Sequence, residues 1–219
     1  MCPRCCEKLN VKKIMKKIFL LIIISVFLIN CKSKNEENEL YVSKVNDISE
    51  IVNAIIVQDS LNISKNGKES KMFCVDLVKL NINVPEKRKD GIITIPIPFN
   101  NVLLENLLNR KIKGEVFFSK KDSLTLIEQN SNPNIITVDS EIISKINSTT
   151  REKELVKRKK GELYRFYEMN IPIFSLDKNK AYVEIGYYCG SLCGSGKAIY
   201  LKKINGKWKI IDTWQTWIS

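Results

Sequence analysis

Toward the C-terminus, four segments are strand-like, and in a strand successive side chains point to opposite faces with a period of two: YRFYEMNIPIFSL, KAYVEIGYY, KAIYLKKI and KWKIIDTWQTW. That period belongs to strands whose two faces meet different surroundings. The links between them are DKNK, a cysteine- and glycine-rich loop, and Asn205-Gly206, a strong two-residue hairpin signal. Such a turn sets Ile204 opposite Lys207, and therefore Leu201 opposite Ile210. Ile199, Leu201, Trp208, Ile210 and Trp214 are then expected on one buried face, with Lys202 opposite Lys209 on a wet one. The pattern predicts an antiparallel meander with a single buried face.

Upstream the period changes. Ile48, Ile51, Val52, Ile55 and Ile56 recur at helical spacing behind Asp47-Ile-Ser-Glu50, which reads as a capping box, and predict a helix to about Asp59. Residues 72–84 are rich in β-branched and aromatic types and predict a strand stopped by Pro85. IITIPIPF (92–99) carries two prolines and admits only an edge strand or an extended segment. Val102, Leu103, Leu107 and Leu108 return to helical spacing. Ser119 and Asp122 stand at capping spacing before another short helix, and DSEIISKI adds a turn or two. The basic run Arg151 to Lys160 reads as a solvated helix face. The fold class expected is α+β: N-terminal and middle helices packed on an antiparallel sheet that ends in the C-terminal meander, as one domain over 46–219.

The N-terminal pattern is of another kind. Lys16 and Lys17 precede an apolar run from Ile18 to Ile29 whose only hydroxyl is Ser25. The run suits the apolar core of a secretory signal and falls short of the ~20 residues that span a bilayer. It ends in Leu28-Ile-Asn-Cys31, which resembles the lipobox of bacterial lipoproteins. The resemblance implies lipidation of the Cys31 sulfur, cleavage just before it, acylation of the new amino end, and residence in the cell envelope at the outer membrane, with a polar tether over 31–45. Each buried methylene of such chains contributes ~0.8 kcal/mol, and more than one chain is needed for durable anchoring. Asn30 departs from the small residue usual before the cysteine. Met15 is read as the start, with residues 1–14 an upstream extension. Cys2-x-x-Cys5 in that extension lacks the second pair that a structural zinc site needs.

Charge and composition narrow the chemistry. The formal net charge of +12 falls to +7 for residues 31–219 and is mostly lysine, which lacks the planar fork of arginine. No nucleic acid is expected as partner. The chain has no histidine, which removes serine–histidine and cysteine–histidine catalysis and most catalytic zinc sites. Asp76, Glu184 and Asp212 fall within strand patterns as outward-facing residues with no recognisable pairing. No metal or cofactor is expected.

YYCGSLCGSGK (187–197) misses the phosphate-loop pattern at Ser191 and Ala198, and a strand follows where that loop needs a helix. Two thiols alone make a poor metal site, and the spacing is not that of a redox Cys-x-x-Cys. A disulfide between Cys189 and Cys193 suits an oxidising compartment, with unpaired thiols as the alternative. Cys74 is read as a buried free thiol. The turn F-S-x-D, the loop C-G-x-x-C-G-x-G, then N-G-K-W and a terminal W-x-S together resemble a group of Bacteroidetes lipoproteins. The resemblance carries localisation and class but no activity. The function expected is a non-catalytic, membrane-anchored binding module for a protein or small ligand, of inhibitor or immunity type. The competing expectation is an envelope hydrolase working through carboxylates or a serine–lysine pair.

The anchor has a direct check. A Cys31→Ser variant should lose the label of a palmitate analogue and leave the membrane fraction; equal labelling of both proteins would contradict it.

Overall fold

The computed structural model describes residues 44–65, 67, 70–85, 89–90, 100–190 and 192–219. Cys31, the expected signal, the expected tether up to Ser43 and the segment 92–99 lie outside these residues, whereas Lys44 and Val45, the last tether positions expected, belong to a helix. The first described element is helix α1 (44–58). It presents Ile48, Ile51, Val52 and Ile55 to the core at the spacing that predicted it. It is already running at Lys44, so Asp47 sits inside the helix and not at its cap.

Residues 72–84 do not form one strand. They divide into β1 (Met72–Cys74), β2 (Asp76–Val78) and β3 (Asn81–Asn83). The chain changes partners twice over that distance: β2 pairs with β7 (Ile135–Thr137), and β3 pairs with β4 (Asn101–Leu103). β4 also takes the first residues of the helix expected from Val102 onward, which begins as α2 (Leu104–Asn109). A small ribbon, β5 (Lys111–Ile112) and β6 (Glu115–Val116), leads to α3 (Ser123–Glu128). The capping box ahead of α3 is present: the Ser119 amide and hydroxyl both donate to Asp122 Oδ2, at 2.7 and 2.8 Å. After α4 (Ser140–Lys145) come β8 (Ser148–Thr149) and α5 (Arg151–Lys159), the basic helix.

The main sheet is completed by β9 (Phe166–Met169), β10 (Ile173–Phe174), β11 (Lys180–Gly190), β12 (Cys193–Ile204) and β13 (Lys207–Ile218). Its strand order is β13-β12-β11-β9-β1-β8, with β10 also on β11. The C-terminal meander is antiparallel, as the period-two pattern and Asn205-Gly206 imply, and Ile204 faces Lys207 and Leu201 faces Ile210. The other end departs from expectation. β1 runs parallel to both β8 and β9, because long crossovers deliver those strands.

The expected single buried face is also corrected. One face packs Ala181, Val183, Ile185, Ile199, Leu201 and Trp208 under α1, with Ile210 half-buried beside them. The middle of the opposite face packs Tyr182, Ala198 and Tyr200 under Leu107 of α2 and Leu126 of α3. The far end of that face is wet, where Lys202 pairs with Lys209. Trp214 leaves the face assigned to it. A bulge between Tyr200 and Leu201 of β12 leaves Ile211 of β13 without a partner, so side chains after it change sides. Trp214 therefore pairs with Ala198 on the second face and is 58% exposed.

Amide side chains fasten helices to strand backbones. Gln58 at the end of α1 donates to the Trp208 carbonyl and accepts from the Ile210 amide, both at 3.0 Å. Gln129 does the same for both backbone groups of Phe174 and Asn130 for those of Ile82. Each satisfies a donor and an acceptor that a missing strand neighbour would leave open.

Cys189 and Cys193 form a disulfide across the β11–β12 connection, Cα atoms 5.0 Å apart. Cys74 is a buried free thiol whose pKa burial pushes up to about 11. Among the described residues no helix is long and apolar enough to cross a membrane. In non-reducing peptide maps of native protein alkylated at mild alkaline pH, 189 and 193 should appear as one linked species and Cys74 unmodified. Replacing both bonded cysteines by serine should lower unfolding stability by ~2 kcal/mol, as loop closure over so short a span predicts. Free alkylated thiols at 189 and 193 would contradict the assignment.

Candidate functional site: a groove on the second sheet face

The glycines that made the 187–197 stretch unusual have a physical cause on the sheet surface. Gly196 of β12 faces Gly186 on one side and Trp217 on the other. The Trp217 indole lies flat against Gly196: a Cβ added there would stand 1.9 Å from Nε1 and 2.4 Å from Cδ1 and Cε2. At Gly194 a Cβ would meet the same ring at 3.0 Å, and at Gly186 it would meet the Tyr188 ring at 3.0 Å. Three side-chain-free positions thus form a trough, and two aromatic rings lie in it. A second bulge, between Gly196 and Lys197, leaves Thr216 unpaired and brings Trp217 onto this face.

The trough opens at both ends. Toward the disulfide lies a cavity of about 410 Å³, walled by Tyr164, Phe166, Tyr188 and Trp217 with Arg151, Arg158, Glu154 and Glu168. Toward α2 lies a shallower one of about 530 Å³, with Tyr182, Tyr200, Trp214, Glu184 and Arg110 on its walls. A waist of about 20 Å³ shares Glu168, Tyr188 and Trp217 with the first and Glu184 with the second. The three form one groove along β11. From Tyr182 to Tyr188 its reach is ~20 Å at ~3.3 Å per residue.

The polar groups in the groove are few and incompletely paired. Glu154 arises on α5, and its carboxylate is 1% exposed. Its Oε1 accepts from the Thr149 hydroxyl (2.6 Å) and Lys157 Nζ (2.7 Å), while Oε2 is buried without a hydrogen-bond partner. Glu168, at 10% side-chain exposure, stands 3.2 Å from Arg151 Nη1. Burial pushes its pKa above the ordinary carboxyl value, against the pull of Arg151, and the charge of Asp76 adds to the rise. Glu184 accepts from the Tyr182 hydroxyl at 2.6 Å, and burial raises its pKa too, although that hydrogen bond opposes the rise. At the other end Arg110 holds Asp212 at 2.7 Å and covers the Tyr200 and Trp214 rings at 5.3 and 5.1 Å.

The sequence-selected residues divide sharply. Glu184 is not a solvated outward residue; it lies in the waist. Asp212 is tied to Arg110, and Asp76 accepts from the Arg151 amide at 3.4 Å. Cys189 and Cys193 staple the rim, and Cys193 lines the cavity of about 410 Å³ at that end. Glu154, Glu168, Arg110 and Arg151 have no period or motif that marks them, and Trp217 is marked only by the terminal W-x-S, since bulges and crossovers bring them together.

Two measurements follow. Gly196→Ala should cost ~1–3 kcal/mol of stability by overpacking. Most of that loss should vanish in a Trp217→Ala background; additive losses would contradict the contact. Secondly, raised carboxyl pKa values mean that the native state holds these protons more tightly than the unfolded chain. The Glu168 and Glu184 contribution therefore rises as pH falls from neutral through their raised values, and is complete below the ordinary 4.5. Urea titrations from neutral to mildly acidic pH should show a shallower rise in Glu184→Gln than in the parent; an unchanged slope would contradict the shift.

Comparison with protein-family models, with curated proteins and with solved structures finds no match, so the chemistry of the groove itself carries its interpretation.

Proposed function

We propose that this chain is an envelope lipoprotein anchored at Cys31 whose domain binds a small ligand in the groove on the second sheet face. The observation that carries the reading is the aromatic-walled cavity of about 410 Å³ with buried, partly unpaired polar groups. Its size falls within the range that holds small ligands, and a few polar atoms among apolar walls fix a ligand's orientation. The glycine trough supports the same reading, because flat-lying rings backed by the sheet are rigid before any ligand arrives. The lipobox supports the location, and the disulfide is in keeping with an oxidising compartment.

One observation favours a second reading, hydrolysis through paired carboxylates. Glu168 and Glu184 share the waist, and burial raises both. A buried carboxyl held above its ordinary pKa in a cleft is the kind of group that general acid–base chemistry uses.

The test uses full-length protein in detergent and a small-molecule extract of its own envelope. Binding should raise the melting temperature, since a ligand that favours the native state stabilises by mass action. Trp214→Ala and Arg158→Ala, at exposed positions near opposite ends, should reduce the rise. No rise with the parent protein, or an equal rise in both variants, would contradict the groove. Consumption of the ligand that stops in Glu168→Gln and Glu184→Gln would move the assignment to the hydrolase.

A further inference from the structure

Resting on the groove reading, we infer that the ligand is a saccharide chain, a neutral hydroxyl-rich molecule whose rings lie on Trp217 and Trp214. Among the described residues, three buried side-chain nitrogen or oxygen atoms have no hydrogen-bond partner: Glu154 Oε2, Glu168 Oε1 and Arg110 Nε. All three residues line the groove. Buried polar atoms are paired almost everywhere in folded proteins, so such a concentration marks where a ligand supplies the partners. Glu168 Oε1 keeps its ion pair with Arg151 at 3.2 Å, without the alignment of a hydrogen bond, and so is buried still lacking a donor.

The demands differ along the groove. The disulfide end offers two acceptors that need donors, and the α2 end offers one donor that needs an acceptor. Charge excludes the simpler ligands. A cation meets Arg151 and Arg158, and an anion meets Glu154 and Glu168, all in the same cavity. A hydroxyl donates and accepts without net charge, and one molecule carrying many of them meets both demands. The walls add a ring-sized preference. Trp217 has one face against Gly196 and borders both the first cavity and the waist, while Trp214 borders the shallower cavity beyond it. Two indoles on one face suit successive rings whose C–H surfaces stack on them while their hydroxyls reach the groove edges. The ~20 Å reach of the groove calls for several linked rings and not a single one.

The probes are 1,4-linked tetrasaccharides of glucose and of xylose at millimolar concentration, and the same envelope extract before and after periodate, which cleaves the neighbouring diols that such rings carry. With full-length protein, at least one tetrasaccharide should bind by calorimetry. Its Kd should weaken tenfold or more in Trp214→Ala and in Arg110→Lys, which keeps the charge and loses Nε. Periodate should abolish the stabilisation given by the extract. If treated extract stabilises as before and no tetrasaccharide binds, the saccharide inference falls while the groove reading stands. If untreated extract gives no stabilisation either, the groove reading falls with it.

Discussion

The contact between the Trp217 indole and the bare backbone of Gly196 is the constraint on which the second sheet face depends. A side chain at Gly196 would occupy the volume of the ring, so the two positions are mutually exclusive with anything but glycine beneath. Because the ring lies flat, the surface beside it stays low enough to form a groove instead of a filled core. The neighbouring Gly186 and Gly194 extend the low ground, and the Tyr188 ring lies over the first of them. Two bulges in β13 are equally necessary. Without the first, Trp214 would point at α1; without the second, Trp217 would point away from the trough.

The rest of the fold can be seen as support for that face. α1 covers the opposite side of the sheet with isoleucine and valine, which leaves the groove face free to carry polar groups. α2 and α3 cover the middle of the groove face and stop where the shallower cavity begins. α5 brings Glu154, Arg151 and Arg158 to the disulfide end. The amide side chains of Gln58, Gln129 and Asn130 then tie these pieces to strand backbones by paired hydrogen bonds, where short strands alone would hold them weakly.

The parts legible in the sequence are those that local chemistry decides. Asn205-Gly206 sets the hairpin register, and the isoleucine spacing of 48, 51, 52 and 55 sets the inward face of α1. Ser119 and Asp122 form the cap that their spacing implies. The missed features are those set by partners far along the chain. The stretch 72–84 has a strand's composition throughout, yet its three pieces join different sheets, which only tertiary pairing can decide. Trp214 obeys strict alternation until a bulge inverts it, and nothing in KIIDTWQTW marks the extra residue. Of the groove, the glycines and the terminal W-x-S were visible as motifs, but their joint meaning lies in a cross-strand contact. Without histidine, acid–base chemistry falls to carboxylates, yet Glu154 and Glu168 come from a helix and a strand that a parallel crossover brings together.

If an indole rests face-on against Gly196, the α-proton that points toward it lies in the shielding region of the aromatic ring current. A proton NMR spectrum with assigned glycine resonances tests this directly. One Gly196 α-proton should lie far upfield of ordinary glycine positions and return to them in Trp217→Ala. Two Gly196 α-protons at ordinary positions in the native protein would contradict the contact, and with it the origin of the groove.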